Sequence, residues 1–467
     1  TTGIEHRMLV TRLISAENAC PEHHGQKAYK RLRQALRYSI LLALTGLSHR
    51  ALSHRVADSA LFQWFTHTSE IDGVRPSSKS SIERFEKLFP VEEITKLIHD
   101  CNKAVADPVG ASELLYVGSP LKFDEIFADT TCVKSNIHFP VDWVLLRDAT
   151  RTLIKAIALI RSQGLKHRIG TPNKFLCDMN KLCIEMTHVR KKKGAKKMRK
   201  VIFRRMKRLM KTVENHAGNY YHLLESRWVE TDWSENQAQI ILDRIQNILH
   251  QLPQAVHQAH ERLIGERRVA NKEKILSLYD DAAQVIVRGK SGAEVEFGNK
   301  LWLGETREGI IADYKLHRDN PGDSKLVEPA IRRLVDEQEL ALKSAWGDRG
   351  LFSKSNERML KARDIRSGLC PRDVHELTRR LQNEEGMREG LKRRAGTEAR
   401  VSIITNVFMG RPARAKGFAH RELMVGWAVL SHNLWLVARL AEAERQRQTQ
   451  HAAKAARQRA GPNNLAA

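Results

Sequence analysis

Three acidic residues stand where phosphodiester chemistry would need them. Asp129 lies within Leu121 to Val133, a stretch of β-branched and aromatic residues that reads as a strand ending in polar residues. Asp348 follows a short apolar run over 341–346 and sits between Gly347 and Gly350, the composition of a turn at a strand's end. Glu398 opens a helical region that runs to Leu440, interrupted between Gly410 and Gly417. Carboxylates converging from a strand, a strand's end and a passing helix can hold two divalent ions about 3.5–4 Å apart, which clamp the attacking and leaving oxygens of a phosphodiester. An all-oxygen ligand set suits Mg2+, or Mn2+ in its place, with two ions per site.

Each acid also has an ordinary reading. Asp129 precedes Thr130 and Thr131 and could cap a turn. Asp348 could belong to a plain glycine turn, and Glu398 is one acid among several in a charged helix. Other acids compete for the same role. Asp124 shares the first strand, Asp280 and Asp281 pair in a turn, and Asp313 ends a convincing strand, Gly309 to Tyr314. Asp313 is the leading substitute for either aspartate.

The charge balance names the partner such chemistry would have. Over 467 residues, 79 Lys and Arg face 54 Asp and Glu, a formal net charge of +25. A surplus that large repels itself unless a polyanion neutralises it. Double-stranded DNA is the expected partner, because neutralising its phosphates releases counterions. The surplus is concentrated over 190–211, with 13 Lys and Arg and no acid. Met198, Ile202, Met206, Leu209 and Val213 recur there at helical spacing, so the segment reads as an amphipathic helix with a wide cationic face. Arg190, Lys191, Lys192, Lys193, Lys196, Lys197, Arg199, Lys200, Arg204 and Arg205 would then track phosphate backbone, the alternative being a solvated face. No apolar run approaches the roughly 20 residues that span a bilayer, so no membrane is expected. The first twenty residues do not read as a signal peptide. Cys20, Cys101, Cys132, Cys177, Cys183 and Cys370 form no CxxC pair, the pattern of reduced thiols rather than a disulfide framework or zinc module. Cys20 with His23 and His24 would be half a metal site at most.

The elements that must position the acids follow from periodicity. Residues 1–115 read as a helical N-terminal domain: a helix through Tyr29, Leu36 and Leu44 ended by Gly46, another from Ser48 through Phe65, and a third capped by Ser77 or Ser78. The short helices resemble a helix-turn-helix unit, or a plain bundle. Residues 116–140 supply the first strand of a catalytic core. Residues 141–274 return to helical pattern, with helices over 145–160, 174–188 and 190–211, and a further one through Ile241 to Leu252 with Pro253 as a kink. They read as an antiparallel bundle. Trp228 and Trp233 flank a turn there and could pack in its core or stack on an unpaired base. Over 275–440 the period falls to two, in strands near Gln284 to Val287, Glu294 to Leu303 and Gly309 to Tyr314. A helix over 326–338, the strand before Gly347 and the last helical region follow. The tail, 441–467, is polar, basic and expected to be disordered. The fold class is α+β and helix-rich: one mixed sheet flanked by helices, with a helical domain inserted after its first strand.

The local contexts of the acids resemble those of bacterial insertion-sequence transposases of the DDE class, in the ISNCY-like branch with a helical insertion. The first-acid motif is carried by Asp129 and Thr130, then Asn136, Ile137, His138, Phe139, Pro140 and Asp142. Arg288, Gly289 and Lys290 with Glu296, Phe297, Gly298 and Lys300 are similar to the family's strand pair. Gly347 to Gly350 is similar to the second-acid motif, and Arg394 with Glu398 to the third. Gly410, Arg414, Lys416, Gly417, His432, Asn433 and Leu434 also fit, and the resemblance reaches to about Leu440. It implies an RNase H-like catalytic core in which Asp129, Asp348 and Glu398 bind metal. It also implies a helical N-terminal domain gripping terminal inverted repeats, and a homodimer in the DNA complex. Such a protein is bacterial, cytoplasmic and nucleoid-associated. Asn136, His138, Lys290 and Arg349 become supporting residues, and Arg394 and Lys416 DNA contacts. Two positions depart from the pattern: where related transposases often carry Tyr and Lys, this chain has Leu391 and Thr405, with Lys416 or Arg414 as substitutes.

The activity so implied is metal-dependent cleavage at transposon ends followed by strand transfer into target DNA. The alternatives are a DNA-binding protein that kept the fold without catalysis, and a non-transposing nuclease on the same core.

Overall fold

Alternating side chains make strand β3 (Glu125–Lys134) the centre of the sheet: it is buried on both faces through most of its length. The computed structural model describes residues 22–70, 73–189, 193–290, 293–410 and 414–459. The chain divides into two units, residues 1–134 with 299–467, and residues 135–298.

In the first unit, helices α1 (Glu22–Thr45), α2 (His49–Asp58) and α3 (Ala60–Thr66) lead into a two-residue-stranded hairpin, β1 (Ser69–Glu70) and β2 (Gly73–Val74). Helices α4 (Lys79–Glu86) and α5 (Val91–Ala106) follow. The single helix expected from Ser48 to Phe65 is two, because Ser59 leaves the helical region of backbone space and caps α3 through its hydroxyl. Ile94, Leu97, Ile98 and Val105 form the buried stripe of α5. Ile94, Leu97 and Ile98 share a core with α1, α2, α4 and the long helix α14 (Phe418–Arg459), whereas Val105 packs in the core on the other side, with Ile126 and Ala128 of β3.

The sheet continues with β5 (Ala293–Glu305), β6 (Ile311–His317), β7 (Ser344–Gly347) and β8 (Arg366–Leu369), after β4 (Gln284–Lys290) in the second unit. Across the first unit the order is β6-β5-β3-β7-β8. β5 and β6 pair antiparallel, whereas β3–β7 and β7–β8 are parallel. Gly304 of β5 lies against Ile126, near the start of β3, while Ser135 beyond its end donates to the Phe297 carbonyl, so β3 and β5 run antiparallel. The result is helix-rich α+β with a mixed sheet. Ile126, Ala128, Trp302 and Ala345 face one way, against α10 (Val327–Arg332) and α11 (Lys354–Ala362). Phe127 and Trp346 face the other way, against Met387 and Leu391 of α13 (Met387–Ile403), which follows α12 (Val374–Asn383).

The second unit is a bundle of α6 (Asp142–Ser162), α7 (Pro172–Val189), α8 (Ala195–Arg227) and α9 (Glu235–Leu263), with β4 and the first half of β5. Its core is continuous through all four helices. The seam of α8 passes through Ile202, Phe203, Met206, Met210 and Val213; Met198 is exposed and Leu209 half-buried, so the expected seam is displaced to Phe203 and Met210. Helix α9 opens with a reciprocal cap between Ser234 and Gln237 and runs on through Pro253. Trp228 and Trp233 pack against the bundle core.

The tail departs from expectation. Helix α14 extends to Arg459, well past the point where disorder was expected, stabilised by Ala-rich composition and by pairs such as Glu442–Arg445 at 2.8 Å. This helix is also long and apolar enough by composition to cross a bilayer, but 61% of the apolar window is buried within the protein. Cys20 and the side chains of His23 and His24 lie outside the described residues.

Trp346 fixes how closely α13 approaches the sheet. Its indole lies parallel to Phe127, centroids 5.9 Å apart, and donates to Ser344 Oγ at 2.9 Å. Its other neighbours are Gly368 and Gly390, where a Cβ would overlap the ring. We expect Gly390→Ala to lift α13 and cost about 1–3 kcal/mol, as overpacking of a filled core does. A thermal melt reads this directly; an unchanged midpoint would show that α13 does not bear on the indole.

Candidate active site

Parallel pairing puts the two aspartates side by side. β3 and β7 match Glu125 with Ser344, Ile126 with Ala345 and Phe127 with Trp346, an offset of 219 residues. Asp129 and Asp348 have that same offset, so each stands two residues beyond the Phe127–Trp346 pair. Side chains two apart share a face. Both carboxylates therefore follow the stacked rings on the face that α13 covers, Asp129 in the middle of β3 and Asp348 just past the C-terminal end of β7.

Backbone amides orient each aspartate. Thr130 N–H donates to Asp129 Oδ1 at 2.7 Å. Gly350 and Leu351 N–H donate to Asp348 Oδ1 at 2.9 and 3.1 Å. The Oδ2 atoms accept no hydrogen bond among the described residues. Asp323, which sequence reading passed over, meets Asp348 across Gly350 and is held by Lys300 at 2.7 Å.

Helix α13 brings the third acid by a polar rather than an apolar face. Arg393 and Arg400, two turns apart, both reach Glu305, which is 1% exposed, at 3.0 Å each. Arg393 also lies over the Phe127 ring at 4.8 Å and donates to the carbonyls of Thr306 and Arg307. Arg400 donates to His432 Nε2, 3.1 Å away. An arginine only donates, so Nε2 is the acceptor and Nδ1 carries the proton, directed at Asn433 Oδ1, 3.1 Å away. Burial, and then the Arg400 charge, push His432 down to about 4, so it stays neutral. Asn433 in turn holds both backbone polar groups of Ile311 on β6.

With α13 fixed, Arg394 and Glu398 lie beside the buried face; Glu398 is exposed and neither makes an ion pair among the described residues. Both are nonetheless felt at Asp129, whose carboxyl is pushed up to about 6. Burial is the largest cause; the Thr130 amide and the Arg394 charge oppose it, and the charges of Asp348 and Glu398 add to it. The donor chemistry, three carboxylates with open oxygens on two aspartates, fits hard divalent cations. No three His, Cys, Asp or Glu side chains among the described residues are gathered tightly enough to form a closed metal-binding group. Glu398 is the side chain that would have to turn inward.

Other expected residues fall elsewhere. Asp313 is 3% exposed and bound at both oxygens by Arg333, at 2.8 and 2.7 Å, which makes it a structural ion pair rather than a substitute ligand. Asp124 pairs with Lys343 at the opposite end of β3. Leu391 packs beside Trp346, and Thr405 is buried and bonded to the Val401 carbonyl, so neither departing position could present a long polar side chain without disturbing the core. Arg349 and Lys416 are exposed in the first unit, and Asn136 and His138 in the second. Asp142 binds Gln258 and Arg262 within the bundle.

The basic helix is less bare than its sequence suggests. Folding brings Glu266 to Lys196 and Lys200, and Glu185 to Arg205, so those cations are partly neutralised. Lys193, Lys197 and Arg204 are exposed without an ion pair among the described residues. Arg190, Lys191, Lys192 and the side chain of Lys290 lie outside the described residues.

The reluctance of the Asp129 carboxyl to ionise makes a stability prediction. The free carboxyl titrates near 3.8 and the folded one near 6, so folding disfavours the ionised form. The penalty is absent when both states are protonated, opens as pH rises from 3.8 to 6, and is constant above. It amounts to about 3 kcal/mol at most. In chelator, Asp129→Asn should melt above the parent at pH 7.5, with the difference narrowing as pH falls to 4.5. A difference independent of pH would remove the case for a strained carboxylate.

Compared with known proteins, the chain matches no protein-family model, no curated protein and no solved structure.

Proposed function

We propose that this protein is a DNA transposase that cleaves the ends of its own element and joins them to target DNA. The reading is carried by one observation: Asp129, within β3, and Asp348, just past the end of β7, each stand two residues beyond the last paired residues of these parallel strands, on the face crossed by the helix that bears Glu398. The strand order β6-β5-β3-β7-β8, three antiparallel strands continued by two parallel ones, is compatible with the RNase H-like core we propose.

Asp129, Asp348 and Glu398 would hold the ions. Bound Mg2+ or Mn2+ supplies Lewis acidity toward the scissile phosphate and makes water a nucleophile near neutral pH. The backbone amides keep one oxygen of each aspartate occupied and the other directed, which limits reorganisation during reaction. Arg394 offsets part of the carboxylate charge. In the first step water oxygen bonds to phosphorus, the bond to the 3′ oxygen breaks, and a 3′-hydroxyl is freed. In the second, that hydroxyl attacks a target phosphate and releases a new 3′-hydroxyl, so the number of phosphodiester bonds is conserved. No covalent enzyme intermediate is required. The basic surplus supplies affinity for both duplexes, and joining two ends calls for a dimer on DNA.

The test is cleavage of a duplex carrying the DNA that flanks the gene, with Mg2+. The parent should cut at the element boundary and leave a 3′-hydroxyl. Asp129→Asn, Asp348→Asn and Glu398→Gln should each fall by about a hundredfold or more. Undiminished cutting by Asp129→Asn would end the assignment, and a parent that binds the duplex but never cuts it would favour a non-catalytic DNA-binding protein.

A further inference from the structure

The helical unit carries a second cationic site, assembled from segments some 70 residues apart in the chain. A cleft of about 570 Å3 opens between the first turns of α8 and the segment that follows α9. That volume lies within the ~300–1,000 Å3 typical of ligand clefts. Lys196 and Arg199 line it from α8, and Arg262, Arg267, Arg268 and Lys274 from the other side. Glu266 is the one acid in the lining, and it is already shared by Lys196 and Lys200 at 3.1 and 2.9 Å. Arg262 is held by Asp142 at 2.9 Å, and Arg267 by Glu261. Arg199, Arg268 and Lys274 have no carboxylate partner among the described residues. Arg199 is constrained: its Cζ lies 5.1 Å from the Trp143 ring centroid, and its Nε is buried without a hydrogen-bond acceptor. Lys274 donates to Asn271 at 2.7 Å. Burial, and then the charge of Arg262, hold its ammonium below the usual lysine range. Cations crowded together without counter-charge call for an anion.

We infer that this cleft binds a run of nucleic-acid backbone phosphates, with Arg199, Arg268 and Lys274 as the groups that contact them. The inference rests on the reading of the protein as one that acts on DNA, and it locates a grip separate from the three acids. A phosphodiester fits better than a carboxylate ligand. Arginine and lysine donors spread along a cleft of this size match successive charges along a chain, and such contacts position DNA without reading its sequence. Lys200 and Lys196 are tethered to Glu266 and serve to shape the wall. The longer basic stretch thus divides into cations consumed by folding and cations left for the ligand.

The experiment uses the full chain with a fluorescent duplex of arbitrary sequence, in chelator, so that cleavage plays no part. Anisotropy titrations across salt compare the parent with Arg268→Gln and with the pair Arg268→Glu and Lys274→Glu. The charge-reversed pair should lose about tenfold or more in affinity, and its logarithmic salt slope should fall by about 2, as two phosphate contacts require. Arg268→Gln, at an exposed position, should lose about one contact's worth of slope while keeping the parent's helical circular dichroism. Unchanged affinity and slope in both cleft variants would overturn the inference, even if the parent cleaves DNA. Loss of binding in the cleft variants upholds it, even if the parent proves unable to cleave. Phosphatidylserine vesicles should compete poorly; competition as strong as that of unlabelled duplex would assign the cleft to lipid headgroups and overturn it too.

Discussion

Everything at the candidate site depends on holding like charges close together. Asp129 is half-buried within the field of Asp348 and Glu398, and the cost shows in its reluctance to ionise. Such an arrangement persists only if the surrounding structure leaves the carboxylates nowhere else to go. Two constraints do this. The β3–β7 register places Asp129, within β3, beside Asp348 at the end of β7. The amides of Thr130, Gly350 and Leu351 then fix which oxygen of each points where.

Helix α13 is fastened by opposite means. A helix over a sheet ordinarily adheres through an apolar stripe. Here Met387, Gly390 and Thr397 are buried, and beside them the half-buried Arg393 and Arg400 attach the helix through Glu305. A carboxylate that is 1% exposed is tolerable only with its compensating guanidinium groups; removing Glu305 would leave two half-buried cations without their counter-charge. The chain of contacts continues through neutral His432 and Asn433 to the edge strand β6. It ties α13 to α14 as well as to the sheet. Directional polar bonds fix rotation about a helix axis more tightly than apolar packing does, and rotation decides whether Arg394 and Glu398 face the aspartates.

What the sequence made legible follows from this division. Period-two and period-3.6 patterns marked most of the strands and helices, because those elements bury one regular apolar face. The four-residue strand β8 offered no pattern long enough to register. The acids stood out through their local contexts. Their mutual register could not be read, since the 219-residue offset acquires meaning only once β3 and β7 pair. Glu305 and Asp323 were invisible for the same reason, as their partners are distant in sequence. Asp313 illustrates the opposite error: an aspartate at the end of a good strand looks catalytic until Arg333 is found on it. The basic helix likewise looked wholly unpaired because Glu185 and Glu266 lie outside it.

The two kinds of charge on this protein impose an order on its proposed chemistry. On the proposed reading, a net charge of +25 would draw DNA from a distance through phosphate contacts that need no metal. The three carboxylates do the reverse locally, repelling any phosphate that enters their field. A scissile phosphate can settle there only when cations have first neutralised that field, and Arg394 by itself is one positive charge against three negative ones. Binding and cutting are thus governed by separate electrostatic conditions on one chain. On that reading DNA would be held and aligned by the basic surfaces while the acids stay inert, and the carboxylate repulsion that adds to burial in raising Asp129 out of the ordinary carboxylate range would keep the site from acting on a duplex that is merely bound.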